Sequence, residues 1–81
     1  MIIKYFAWIK DITNKDQEQI HKNYPKNINE LKKNLCKTYP SLEKHIEKNV
    51  FRYAINMEYA STNQKLSSTD EIAIFPPVSG G

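Results

Sequence analysis

The chain has 81 residues, 12 of them Lys or Arg and 9 Asp or Glu, for a formal net charge of +3; 40% are hydrophobic and 26% charged. That length fits one domain with one modest core and leaves no room for a second domain or a deep, water-excluding active site. One cysteine, Cys36, excludes an intramolecular disulfide and a cysteine-built zinc site, and His21 and His45 have no ligand-like spacing around them. No metal site is expected. Arg52 is the only Arg among the basic residues and the lysines are scattered, a pattern of a solvated surface rather than of nucleic-acid recognition.

Residues 2–9 alternate as a strand, with Ile3, Tyr5, Ala7 and Ile9 on one face and Ile2, Lys4, Phe6 and Trp8 on the other. The apolar run Tyr5 to Ile9 is too short to span a membrane, and Met1-Ile2-Ile3-Lys4 lacks the basic-then-apolar pattern of a signal peptide. A cytoplasmic protein is the expectation. Lys10 to Asp16, with Asn14, suits a turn. Residues 17–24 alternate weakly, as an edge strand anchored by Ile20 and Tyr24.

Pro25-Lys26-Asn27 breaks the chain. Asn27 is a good helix N-cap and Glu30 follows three residues later, as in a capping box. Ile28, Leu31 and Leu35 then share one helical face, while Lys32, Lys33 and Lys37 take the other side and the C-terminal end. Tyr39-Pro40 stops the helix. Cys36 lies beside the apolar stripe and has no partner that would make it a nucleophile; it reads as a packed thiol. Ser41 suits the cap of a short second helix to about Lys48.

Residues 50–56 read as a strand with Phe51, Tyr53 and Ile55 on one face, and Asn56 starts a turn. Glu58-Tyr59-Ala60 suits a short returning strand. Ser61 to Asp70 is a polar loop broken by Leu66, and Glu71 to Phe75 is a last strand with Ile72 and Ile74 inward. One amphipathic helix cannot bury its face alone. A mixed sheet over the long helix gives an α+β, two-layer domain of the β-grasp (ubiquitin-like) arrangement, in which the first and last strands pair in the middle. The domain is expected over residues 1–75 and an extended tail over 76–81.

The tail, Pro76-Pro77-Val78-Ser79-Gly80-Gly81, has its own logic. Two prolines fix φ and remove two donors, so the strand cannot continue as a ladder and leaves as a stiff, extended chain. Six residues reach roughly 20 Å at most. Gly80 and Gly81 have no Cβ, so the end is slender. These features suit insertion of a chain end into a narrow channel, where a terminal carboxylate is activated without help from any side chain. A bare Gly-Gly end is by itself a frayed terminus.

The string Ile72-Ala73-Ile74-Phe75-Pro76-Pro77-Val78-Ser79-Gly80-Gly81 resembles the terminus of the small subunit of molybdopterin synthase, a MoaD-type sulfur carrier. Tyr5-Phe6-Ala7-Trp8-Ile9-Lys10-Asp11, Ala54-Ile55-Asn56 and Asn27-Ile28-Asn29-Glu30-Leu31 resemble further segments of that family, so the likeness spans essentially the whole chain. Lys10 stands where the family usually has Arg, and Trp8 is bulky for its position. The resemblance implies that Gly81 is adenylated by a ubiquitin-activating-type enzyme that uses ATP, receives sulfur from a donor protein as a thiocarboxylate, and gives it up in the active site of the large catalytic subunit. The product is the dithiolene of molybdopterin, made from cyclic pyranopterin monophosphate. Pro76, Pro77, Val78, Ser79 and Gly80 would lie in the partner's channel. The chain would bind no cofactor, touch neither nucleic acid nor membrane, catalyse nothing alone, and form a heterotetramer with the large subunit.

Strand alternation puts Phe6 and Phe75 on the sheet face opposite the helix, in neighbouring strands, as an aromatic docking patch. The resemblance adds Tyr59. Three other readings share part of this pattern: a thiazole-synthesis-type sulfur carrier, a ubiquitin-like modifier, and an interaction domain with an inert tail.

Overall fold

The computed structural model describes residues 1–77. The elements run β1 (Ile2–Tyr5), α1 (Trp8–Thr13), β2 (Gln17–Gln19), α2 (Ile28–Thr38), a 3₁₀ turn (Pro40–Leu42), α3 (Glu43–Glu47), β3 (Arg52–Ile55), β4 (Glu58–Tyr59) and β5 (Glu71–Phe75). Among the described residues the strands form one sheet in the order β2-β1-β5-β3-β4. β1 and β5 run parallel, with Ile3 opposite Ile72 and Tyr5 opposite Ile74; the other pairings are antiparallel. This is the β-grasp arrangement, with the first and last strands adjacent inside the sheet and β2 at an edge.

The core follows from two periods meeting. Ile3, Tyr5, Ile55, Ile72 and Ile74 point from the sheet toward Ile28, Leu31 and Leu35 of α2, and all are buried. Leu42 and Phe51 close the far side, and Ile20, Tyr24 and Leu66 pack at the margins. At the start of α2 the Asn27 side chain accepts the Glu30 amide at 2.9 Å, as a cap should. Its backbone also bridges to Lys65, which ties the long loop before β5 to the helix start.

Four sequence expectations need correction. The first strand ends at Tyr5, not at residue 9. The Phe6 amide still bonds to the Ile74 carbonyl at 3.1 Å, but the chain then turns, with the Ile9 amide on the Phe6 carbonyl at 3.2 Å. Ala7 takes φ 55°, ψ −138°, the first central position of a type II′ turn. Ile9, Ile12 and Thr13 then bury one side of α1, so the stretch 9–13 obeys a helical period, not the strand period. Second, Lys10 to Thr13 is therefore helix and not turn; the stop comes at Asn14, left-handed at φ 62°, whose amide caps the Lys10 carbonyl at 2.7 Å.

Third, the two strands 17–24 and 50–56 are shorter than their patterns, Gln17–Gln19 and Arg52–Ile55. Fourth, Ser41 caps nothing. Pro40 opens a 3₁₀ turn that runs directly into α3, and neither element has a side-chain cap. No helix among the described residues is long and apolar enough to cross a membrane.

Candidate docking face and tail exit

Alternation sends every second residue of each strand away from α2. The register places Lys4, Ala73, Ala54 and Tyr59 side by side across β1, β5, β3 and β4. The next row holds Phe75 opposite Arg52, with Phe6 one step past the last β1–β5 pair, beside Phe75. A Lys4–Glu71 ion pair at 3.2 Å lies on the same face. The face thus has a flat, small-residue centre at Ala54 and Ala73 and an aromatic end.

The three residues expected to form the aromatic patch do share this face. Phe6 is 45% exposed and Tyr59 76% exposed, while Phe75 is half-buried. The ring that meets Phe75 is Tyr59, with centroids 5.9 Å apart and planes tilted by 51°. Phe6 is brought beside Phe75 by backbone register rather than through a stacked pair. Met57, at the tip of the β3–β4 turn, is 91% exposed.

Both β1 and β5 end at the aromatic end, and β3 begins there, so the tail leaves from this end of the sheet. Pro76 is half-buried and Pro77 exposed, and neither continues the ladder. Val78, Ser79, Gly80 and Gly81 lie outside the described residues.

A second aromatic group flanks the exit on the helix side. Trp8, His45 and Phe51 contact one another, with centroid distances of 4.8 Å for Trp8–His45, 5.5 Å for Trp8–Phe51 and 5.7 Å for His45–Phe51. His45 is thus a half-buried, stacked ring. Sequence reasoning treated Trp8 as a strand residue and missed this group, because the apolar run Phe6 to Ile9 fits strand and helix alike. His21 is exposed, and no cluster of three or more His, Cys, Asp or Glu suited to a metal occurs among the described residues.

The titratable groups of the interior serve packing. Tyr5 and Tyr39 both donate their hydroxyls to Glu18 Oε2, the latter at 2.7 Å, and their rings meet edge to face at 6.0 Å. Burial works to raise the Glu18 carboxyl, but the two hydroxyls and the Lys15 ammonium at 3.8 Å outweigh it and hold the group below the usual glutamate value. Burial first, and the facing carboxylate second, push the Tyr5 hydroxyl far up. Cys36 is half-buried, and burial together with Glu43 and Glu47 raises its thiol, so it stays protonated and weakly nucleophilic at neutral pH. Among the described residues this surface offers a flat face, an aromatic rim and a stiff exit.

Known proteins share this fold. Residues 3–81 match the model of the ThiS family. The chain is 39% identical to a molybdopterin synthase sulfur carrier subunit of Dictyostelium discoideum, over 98% of this chain and 93% of that one. It is 33% identical to a protein of the same name from Caenorhabditis elegans, over 98% and 94%. In structure it is similar to a chain from Pyrococcus furiosus described as subunit 1 of a molybdopterin converting factor, with a TM-score of 0.80, 24% identity and 95% of each chain covered. From the match across 3–81 and the identity carried over nearly the full length of both curated relatives, the chain belongs to the ThiS family of β-grasp proteins.

Proposed function

We propose that this protein is the sulfur-carrier subunit of a molybdopterin synthase and that the carboxyl carbon of Gly81 is its working atom. The observation that carries the reading is the 39% and 33% identity to two molybdopterin synthase sulfur carrier subunits over 98% of the chain. The Pro76-Pro77 exit beside an aromatic face supports it. In this proposal residues 1–75 are the docking body and 76–81 the delivery tail.

The chemistry asks little of the chain's side chains. A partner adenylating enzyme binds ATP, and the Gly81 carboxylate attacks the α-phosphorus, expelling pyrophosphate and forming an acyl adenylate. A sulfur donor protein supplies a persulfide whose terminal sulfur attacks the carbonyl carbon and expels AMP; a thiol reductant then cleaves the resulting acyl disulfide, and a thiocarboxylate remains. The large subunit then receives the tail, Pro76 to Gly80, in a channel whose narrow end Ser79 and Gly80 are slim enough to enter. There the thiocarboxylate sulfur bonds to a carbon of cyclic pyranopterin monophosphate with loss of an oxygen leaving group, and water cleaves the resulting thioester, which returns Gly81 to the carboxylate. Two carriers are consumed for each dithiolene. Phe6, Tyr59 and Phe75 are the docking contacts, and Tyr59, 76% exposed, has the most surface left to bury.

The test is intact-protein mass spectrometry after incubation with ATP, the adenylating enzyme and a sulfur source. Exchange of one oxygen for sulfur at Gly81 is expected, lost on deletion of Gly81 or on extension beyond it. No change in the unmodified chain, or a change that survives the deletion, overturns the carrier reading. Coupling the product to the large subunit should yield dithiolene. Sulfur transfer to a thiazole precursor instead would move the chain to thiazole synthesis.

A further inference from the structure

Apart from the tail and the aromatic face, the structure has a groove of about 220 Å³ between the start of α2, the start of β3 and the loop after β4. Its lining contains two cations, Lys32 and Arg52, and no Asp or Glu. Neither cation has an ion-pair partner among the described residues. Arg52 is tethered at the rim by a 3.4 Å hydrogen bond to the Asn49 carbonyl, and the Lys32 ammonium sits 5.5 Å over the Tyr53 ring. Tyr59 forms an outer wall. The groove therefore joins fixed positive charge to exposed aromatic surface.

The hydrogen-bond inventory narrows the ligand. The first amides of α2 are already used: Ile28 donates to the Gln64 carbonyl at 3.1 Å, Asn29 to Asn63 Oδ1 at 3.0 Å and Glu30 to Asn27 Oδ1 at 2.9 Å. A phosphate group would want those amides. Lys32 and Arg52 then remain as the charged donors of the groove, a set that suffices for a carboxylate without those amides. The volume is also below the roughly 300–1,000 Å³ of small-molecule pockets, which disfavours a nucleotide.

We propose that this groove receives an acidic segment of a partner protein, its carboxylates held by Arg52 and Lys32 and its apolar flank against Tyr59. The site goes beyond the carrier reading and does not depend on Gly81. Arg52 and Tyr59 belong both to the groove and to the outer face, so a partner seated on the face would reach the groove around the β4 edge.

The test is amide NMR of the full chain, titrated with the blocked peptide acetyl-Glu-Asp-Leu-Glu-Asp-Leu-amide, with its Gln/Asn counterpart, and with AMP. The acidic peptide should shift the amides of Asn29, Arg52 and Tyr59 and of residues 60–63 in a saturable way, at least about tenfold more tightly than the neutral peptide, which lacks the charge-assisted bonds. The Lys32→Gln and Arg52→Gln variants, whose spectra also report whether they fold, should each lose most of that preference. The proposal is overturned if the shifts spread equally over the other lysines, if folded variants bind as the parent does, if no saturable shift occurs, or if AMP takes the groove more tightly than the peptide.

Discussion

Tyr59 reaches Phe75 across an intervening strand. Tyr59 is on β4 and Phe75 on β5, yet their ring centroids are 5.9 Å apart. Strands in a sheet are spaced about 4.8 Å, so two strands separate the backbones by roughly 10 Å. The contact exists because Ala54 of β3, paired with Tyr59 on one side and Ala73 on the other, presents only a methyl group. Both rings lie over that floor, tilted, and form one apolar surface next to the tail exit.

It follows that Phe75→Ala should weaken large-subunit binding more than it weakens folding. Loss of a central, packed ring at an interface costs about 2 kcal/mol or more in affinity. Tyr59, 76% exposed, should contribute little to folding, so Tyr59→Ala should move the melting temperature hardly at all. Calorimetric titration of the single and double variants should give a coupling of about 0.5–1.5 kcal/mol between the two rings. Equal losses in binding and stability, or strict additivity, would contradict a shared docking surface.

Glu18 should make the protein acid-sensitive in a defined way. Its carboxylate accepts from Tyr5 and Tyr39, and its net shift is downward in the folded chain. A group with a depressed folded value contributes stability that is fully present above its unfolded value, about 4.3, and is lost as pH falls through the folded value. Stability followed by urea unfolding should therefore drop from about pH 4.3 downward. Glu18→Gln should lower stability at pH 7 and flatten that part of the profile. An unchanged slope in the variant would mean that other carboxylates carry the acid response.

The sequence made the core of this fold legible where a single period ran undisturbed. Ile28, Leu31 and Leu35 identify the buried stripe of α2, Asn27 its start and Tyr39-Pro40 its end. Ile72 and Ile74 identify the inward side of β5. Legibility failed where two periods overlap. From Phe6 to Ile9 every residue is apolar, so alternation alone does not tell strand from helix, and the switch hangs on the positive φ of Ala7, which a non-glycine residue does not announce. The face shared by Phe6 and Phe75 was readable because it needs only alternation and pairing order, whereas Tyr59 was added by the family resemblance. The Trp8–His45–Phe51 group was not, because it joins three elements through side chains far apart in sequence. The Lys32–Arg52 groove was hidden for the same reason.

The β3–β4 turn offers a stabilising substitution. Ile55 and Glu58 are paired, so Asn56 and Met57 form a two-residue loop, and both have positive φ, 51° and 72°. That is the type I′ pattern, which favours Asn then Gly. Asn56 fits. Met57 bears a left-handed cost of about 1–2 kcal/mol with its side chain 91% exposed and little packing to lose. Glycine adds roughly 0.4–1 kcal/mol of unfolded-state entropy, which offsets only part of the relief. Met57→Gly should raise stability by about 0.5–1 kcal/mol in chemical denaturation, whereas Met57→Val should lower it.

Ala7 poses the same question beside the candidate site. At φ 55°, ψ −138° it sits where a type II′ turn favours glycine, and the strain is held by the Phe6–Ile9 and Ala7–Lys10 backbone hydrogen bonds, 3.2 and 3.1 Å. Backbone in such a region costs of order 1–3 kcal/mol, more than the roughly 0.4–1 kcal/mol that glycine loses through unfolded-state entropy. Ala7→Gly should therefore raise stability by about 1 kcal/mol, and Ala7→Val should lower it, since a β-branched side chain is the worst fit at positive φ. The single Trp gives a direct readout of what else changes. Trp8 directly follows the strained residue and packs on His45 and Phe51, so its fluorescence should be unaltered in Ala7→Gly if the turn is merely relaxed. If Ala7→Gly is instead more stable but shifts the Trp8 emission and weakens large-subunit binding, the strain at Ala7 orients the corner that presents Phe6, and relief of it comes at the expense of docking.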